Sequence, residues 1–310
     1  MTTEILIARE HHRLRLREAL RNGSIERLRH GAYRLKQPSK DARAVAERKR
    51  ALDRIRAVHR QLRAEHVFSH DSAALLWGMR CWRSPAKIHV LQAYRAGKAA
   101  AQDIVRRRPL PLTVATVDDI PVTDRAETVA DCLRTMPPLD GLVLLDGALA
   151  NGLDEGRVRE HVERRNKQRG RAIARYLLDL ADPGAESAWE SFIRYLAAHA
   201  GLPRPRTQLP VETAEGLYRV DLGWLDHGVL AEFDGQIKYV DGAFGAEYDA
   251  DAARFAEKLR DDAITAATGV RPLRFTAKDG SVRAMRKLVA AFPGDVRRAA
   301  RIDPLLPFPS

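Results

Sequence analysis

The chain has 310 residues, 45% hydrophobic and 30% charged, with a formal net charge of +12, a size that accommodates two or three domains. No run of ~18 apolar residues occurs, which excludes a transmembrane helix, and the start MTTEILIAREHHRLRL carries an acid and no apolar core, unlike a secretory leader. Two cysteines, Cys81 and Cys132, without histidines at ligand spacing, exclude a disulfide framework and a zinc site, and the expectation is a cytoplasmic protein with no membrane partner.

The positive charge is concentrated at the front. Residues 1–64 hold 18 Lys and Arg against 7 Asp and Glu, whereas the rest holds 35 against 34. A basic module on a neutral body is the electrostatic footprint of nucleic-acid binding. Apolar residues at helical spacing predict a helix over about 4–21, stopped by Asn22-Gly23. SIERLRHGAYRL then reads as a hairpin turning at His30-Gly31. Helix followed by basic hairpin is the second half of a winged helix-turn-helix, with the helix in a groove and Arg27, Arg29 and Arg34 on phosphates. A long basic helix is expected over 41–65.

From residue 66 the texture changes. VFSHDSAALLWGM reads as a short strand entering a helix, with Ser69 or Asp71 as N-cap. KIHVLQAY and PLTVATVDDIPVT read as strands, and RAETVADCLRTM and LDGLVLLDGALANG as helices. His70, Asp71 and His89 sit where a cap or a core histidine is the ordinary reading. GRVREHVERRNKQRGRAIARYLLDL is expected to continue as helix until Pro183-Gly184 ends it. No Gly-rich phosphate loop or paired-Asp motif marks this region as a nucleotide-transferring enzyme. The domains expected are therefore a basic winged-helix-like module over 1–64, an α/β middle domain over 65–182 and a third domain over 183–310.

The third domain carries the chemistry. ESAWESFIRYLAAHAG predicts an amphipathic helix, followed by strands RTQLPVE, LYRVDLGWL and VLAEFDG, a helix over about 248–268, the strand VRPLRFTA and a final helix. The order is αβββαβ(α), in a chain of mixed α/β class. Glu232 and Asp234 are two apart on one strand and share a face. With a two-residue turn at His227-Gly228, Asp221 lies opposite Asp234; with the turn at Asp226-His227, it lies opposite Glu232. Either register gathers three carboxylates, and like charges across a strand pair are destabilising unless positive charge fills the space. Mg²⁺ suits such oxygens, and Glu190 from the preceding helix adds a further one.

These residues resemble the PD-(D/E)xK nuclease superfamily, most nearly its very-short-patch-repair-like endonuclease domains. AESAWES, TQLPV with Gln208, YRVDLGW, VLAEFDGQIKY, AEKLRDDAI and RPLRFT carry the resemblance, over roughly 183–292. It implies a restriction-endonuclease-like core in which Glu190, Asp221 and Glu232 hold one or two Mg²⁺ (or Mn²⁺) ions, with Asp234 beside them. The family's Glu-x-Lys has Asp234 at its lysine place. The lysine's role, steadying the attacking water and charged phosphate, falls to Lys238 or Lys258, with Arg260 and Arg274 as further phosphate contacts. Farther forward, REALRNGSIERLRHGAYRL, SHDSAALLWG and IPVTDRAETVADCLR resemble abortive-infection antitoxins of type IV toxin–antitoxin systems, over about 10–150. Together the resemblances imply a DNA-binding, Mg²⁺-dependent endonuclease acting in phage defence or beside a toxin protein. The alternative they leave is a non-enzymatic antitoxin or repressor on a degenerate nuclease fold.

Overall fold

A computed structural model describes residues 4–36, 42–93, 101–108, 113–164, 169–234 and 250–309. The protein is mixed α/β, with three separate sheets among the described residues. It divides into two compact units, Met1–Thr135 with Leu153–Ala174, and Met136–Gly152 with Arg175–Ser310. Residues 1–64 thus share a unit with 65–135, and the second unit takes in 136–152 and 175–182 besides 183–310.

The first unit opens with strand β1 (Ile5–Ile7), a 3-10 turn (Ala8–Glu10) and helix α1 (Arg13–Arg21). The single helix expected over 4–21 is therefore replaced by strand, turn and helix. Ile5 and Ile7 alternate inward with Leu6 between them, a period-2 burial that lets β1 pair with a strand. β2 (Ile25–Arg29) and β3 (Ala32–Leu35) form the expected hairpin, and β1 adds antiparallel to β3. Gly31 at the tip has φ +72°, a conformation glycine adopts without steric cost. Helix α2 (Arg43–Gln61) follows, and Ala57 closes the small core of Ile5, Ile7, Leu28 and Ala32.

A second sheet of this unit has β4 (Val67–Phe68), β5 (Ile88–Leu91), β6 (Ile104–Arg107), β7 (Val114–Val117) and β8 (Ile120–Thr123), in the order β6-β5-β4-β8-β7. Helix α3 (His70–Leu76) leaves β4 through His70 at φ +56°. Ser69 stands at the N-cap position, but its hydroxyl meets His70 Nδ1 at 2.9 Å and makes no cap bond. His70 is buried against the His89 ring, and burial, with Arg107 and Lys87 nearby, pushes His89 down to about 4. His70 is thus a core residue and His89 a partly buried one. Helix α4 (Arg125–Thr135) packs on α6 (Glu155–Arg164).

Helix α5 (Pro138–Ala150) belongs to the second unit and is buried on nearly every side. The long helix expected from 156 to 180 is two helices, α6 and α7 (Arg171–Leu180). Gly170, at φ +83°, lies so close to the Arg134 backbone that a Cβ there would be 2.1 Å from its carbonyl oxygen. Helix α8 (Ala188–His199) packs on α5 through a buried ion pair, Arg194 to Asp146 at 2.5 Å, which Ser191 and the Asp182 N–H complete.

Strands β9 (Arg206–Thr213), β10 (Gly216–Trp224) and β11 (Val229–Phe233) form an antiparallel meander. Helix α9 (Ala250–Thr268) follows, and β12 (Leu273–Phe275) lies parallel to β11, giving the order β12-β11-β10-β9. Helices α10 (Gly280–Ala291) and α11 (Gly294–Ala299) come last, the latter not foreseen. This succession matches the order αβββαβα read from the sequence. Leu209, Val211, Val220, Leu230 and Ile264 form its central cluster, which seats α9 on the sheet.

Candidate functional site

The β10–β11 connection is longer than a two-residue turn. Leu225–His227 form a 3-10 turn, and Gly228 at φ +65° returns the chain. Leu222 pairs with Ala231 and Trp224 with Val229, so the next step along the ladder sets Asp221 against Glu232. Asp221 Oδ2 accepts the Phe233 N–H at 2.8 Å, which fixes its carboxylate at the end of the strand pair.

Glu190 reaches the same place from α8. Ser187 caps that helix by accepting the Glu190 N–H, and Glu190 Oε2 accepts the Glu186 N–H at 2.8 Å, a variant of the reciprocal capping box. Trp189 stacks flat on Phe233, ring centroids 4.7 Å apart, and so holds the first turn of α8 against the end of β11. Gln208 donates to the same Glu190 oxygen at 3.2 Å. The backbone of Gln208 sits at φ +47° between the pairs Leu209–Val220 and Thr207–Leu222. A left-handed non-glycine inside a strand costs on the order of 1 kcal/mol, and such strain clusters at functional sites. Sequence reasoning gave Gln208 no role; only its place in the TQLPV strand pointed to it.

The electrostatics separate the carboxylates. Burial pushes Asp221 up to about 6, with the charges of Glu190 and Glu232 adding to the rise and the Phe233 N–H and Arg260 opposing it. Burial also raises Glu190, against the bonds from Ser187, Glu186 and Gln208. Glu232 is 4% exposed and placed between two guanidiniums, Arg260 Nη2 at 2.6 Å and Arg274 Nη1 at 2.8 Å. Both Glu232 oxygens are thus held by close charged contacts to arginine.

The three carboxylates expected to hold metal therefore come within electrostatic reach of one another, but not as one ligand set. Among the described residues no three His, Cys, Asp or Glu side chains are grouped to hold a metal ion. Glu232 leaves the set because Arg260 and Arg274 already supply its positive charge. Buried Glu190 and half-buried Asp221 remain as two oxygen donors, both raised chiefly by burial. That donor set fits Mg²⁺, which is commonly held by one or two carboxylates, with water and phosphate oxygens completing its shell.

The expected phosphate contacts are likewise redistributed. Arg260 also donates to the Arg219 carbonyl, and Arg274 pairs with Glu257 and Asp261 as well as Glu232. Lys258 is exposed and lines a cleft of about 350 Å³ with Arg271, Arg274 and four acids, Asp234, Glu257, Asp261 and Asp262. Lys238 lies outside the described residues.

In the first unit, Arg29 forks onto Asp103, and Arg34 joins Glu26 and buried Asp53. These two guanidiniums knit the hairpin to its own unit and have little left for phosphate. Arg27 remains exposed, its Nε on the Arg29 carbonyl. α1 is the contrast: Arg13, Arg15, Arg17 and Arg21 are all exposed, and only Leu16 anchors the helix inward. None of the four arginines has a hydrogen bond or ion pair among the described residues. Arg13, Arg17 and Arg21 recur every fourth residue and line one side of the helix. That spacing was legible in HHRLRLREALR, although the hairpin arginines drew the expectation.

No helix among the described residues is long and apolar enough to cross a membrane. No family model matches the chain. Two relatives from Mycobacterium tuberculosis strains, described as uncharacterized proteins MT2308 and Rv2248, are each 28% identical over 217 residues, covering 69% of this chain and 75% of theirs. The crystal structure of the RV2827C protein from Mycobacterium tuberculosis is similar with a TM-score of 0.36 and 16% identity, over 56% of this chain and 71% of that one.

Proposed function

We propose that this is a DNA-binding protein whose second unit is a restriction-endonuclease-like, Mg²⁺-dependent module that hydrolyses DNA phosphodiester bonds, in phage defence or a toxin–antitoxin setting. The observation that carries it is Asp221, pushed up to about 6 beside a second carboxylate, buried Glu190, at the end of an αβββαβ core. A fold gains nothing from crowding buried acids unless a cation joins them. Glu190 and Asp221 would hold Mg²⁺, which when bound supplies an activated water and a charge opposite the phosphate. Gln208 and the Phe233 N–H keep the two carboxylates aimed, and Lys258 and Arg271 are the cations that a nearby cleft, lined also by Asp234, Glu257, Asp261 and Asp262, offers to a phosphodiester. In the first unit, the winged-helix-like succession of α1 and the β2–β3 hairpin presents Arg13, Arg17, Arg21 and Arg27 to duplex DNA.

A second reading has one specific support. The Arg260–Glu232–Arg274 arrangement satisfies the third carboxylate without metal, as in a nuclease fold kept as a scaffold for a repressor or antitoxin. Plasmid nicking in Mg²⁺ or Mn²⁺ by the wild type, abolished in an Asp221→Asn, Glu190→Gln double variant, supports the nuclease. Nicking that persists in the double variant defeats this metal site. Tight duplex binding without cleavage of any substrate selects the repressor.

A further inference from the structure

A second site lies at the far end of α8. Glu190 is in the first turn of that helix, whereas Arg194 and Ala198 line a pocket of about 490 Å³, within the roughly 300–1,000 Å³ of small-molecule sites. Ala198 is two turns beyond Glu190, roughly 12 Å along the axis. Tyr176 and Leu180 of α7, the loop Leu202–Pro205 and the tail Arg301–Pro304 complete the walls.

The walls are fixed in advance. The tail crosses Gly201, at φ +69°, so closely that a Cβ there would lie 2.1 Å from the Arg301 carbonyl oxygen. It is then tied to α8 by Asp303 N–H to His199 O at 2.9 Å, by the Leu306 carbonyl to His199 Nδ1 at 2.6 Å, and by Tyr195 O–H to Pro307 O at 2.7 Å. Leu306 is fully buried beneath it.

Two of the three arginines in this pocket lack a carboxylate. Arg194 is matched, by Asp146 at 2.5 Å and by Asp182, 3.9 Å from its Nε. Arg204 gives its two terminal nitrogens to the Asp179 and Ala181 carbonyls, and Arg301 gives one to the Arg298 and Ala300 carbonyls. Among the described residues neither Arg204 nor Arg301 has a carboxylate within ion-pair distance. The one acid in the wall, Asp303, already accepts from Tyr176 O–H and the Leu305 N–H. Each guanidinium carries five N–H donors, so Arg204 and Arg301 retain donors for an anion. The remaining wall is apolar, from Leu180, Leu202, Pro203, Ile302 and Pro304.

We propose that this pocket binds a phosphate monoester on a flat apolar body, of mononucleotide size. Arg204 and Arg301 take the phosphate, and the prolines, leucines and Ile302 take the body. Two sources share that chemistry, a free mononucleotide and the 5′-phosphorylated terminal nucleotide of a DNA strand. The site is independent of the carboxylates and of whether they cut DNA.

Calorimetric titration of the full chain tests it, with AMP, adenosine, inorganic phosphate, and a hexanucleotide with and without its 5′-phosphate. Either AMP or the phosphorylated hexanucleotide is expected to bind at least tenfold more tightly than its unphosphorylated form and than inorganic phosphate. AMP as the tighter ligand identifies the free nucleotide, and the hexanucleotide identifies the strand end. Arg301→Gln, at an exposed position, is expected to weaken that ligand about tenfold to hundredfold with the melting temperature unchanged. Ile302→Asp, on a side chain 71% exposed, is expected to weaken it as well. Absence of phosphate-dependent binding, inorganic phosphate binding as well as either ester, or affinity untouched by both substitutions overturns the proposal.

Discussion

Two acids in the second unit, buried Asp146 and half-buried Asp221, meet desolvation in opposite ways. Asp146 has a buried guanidinium at 2.5 Å, a serine hydroxyl at 2.7 Å and a backbone N–H at 2.9 Å. Asp221 has one backbone N–H and two neighbouring carboxylates. Burial raises both, but at Asp146 the charge of Arg194 is the main opposing influence, whereas at Asp221 the charges of Glu190 and Glu232 add to the rise more than Arg260 opposes it. A completed ion pair serves the fold. A carboxylate crowded by two others costs the fold stability.

The contrast can be broken hardest at Asp146. Asp146→Ala leaves Arg194 charged and buried, and chemical denaturation should show a loss of about 3–5 kcal/mol. At Asp221 the sign reverses. A carboxyl raised in the folded state contributes stability that is present below its unfolded value near 4 and is lost as pH rises through about 6. Asp221→Asn should therefore stabilise the protein by about 1–3 kcal/mol at pH 7.5 and lose that advantage below about pH 4, in denaturation curves taken across that range. Mn²⁺ at tenfold over its Kd should stabilise the wild type by about 1.4 kcal/mol in thermal unfolding, and Asp221→Asn should abolish the effect.

The smallest effects concern the two sets of arginines in the first unit. Replacing Arg13, Arg17 and Arg21 with Gln should lower the slope of log K against log salt for duplex binding by about 0.9 for each phosphate no longer neutralised. Arg29→Gln should leave that slope unchanged and instead cost stability through Asp103, where it forms a two-pronged pair.

How far the sequence reached follows from the range of each interaction. The succession α8, β9, β10, β11, α9, β12 was legible because apolar spacing and turn residues act within a few positions. Asp221 and Glu232 were legible as neighbours because a hairpin relates residues by counting, although the turn proved longer than expected. Ile5–Ile7 were not, since three alternating residues before an arginine-rich helix extend its pattern in either period. The break at Gly170 depends on the Arg134 backbone, which no local pattern encodes. The partners of the charged residues were the least visible. Arg29 finds Asp103 across 74 positions, and Glu232 finds Arg260 and Arg274 only once α9 and β12 have packed beside β11.

The C-terminal tail is gripped chiefly by its own main chain: the N–H of Asp303 and the carbonyls of Leu306 and Pro307, with the Arg301 carbonyl pressed over Gly201. Such a grip reads spacing rather than spelling. The loss of one residue between Asp303 and Leu306 would shift the later anchors out of step, whatever side chains stand between them. The fold's tolerance there should follow length, with single deletions opening the pocket that the tail encloses.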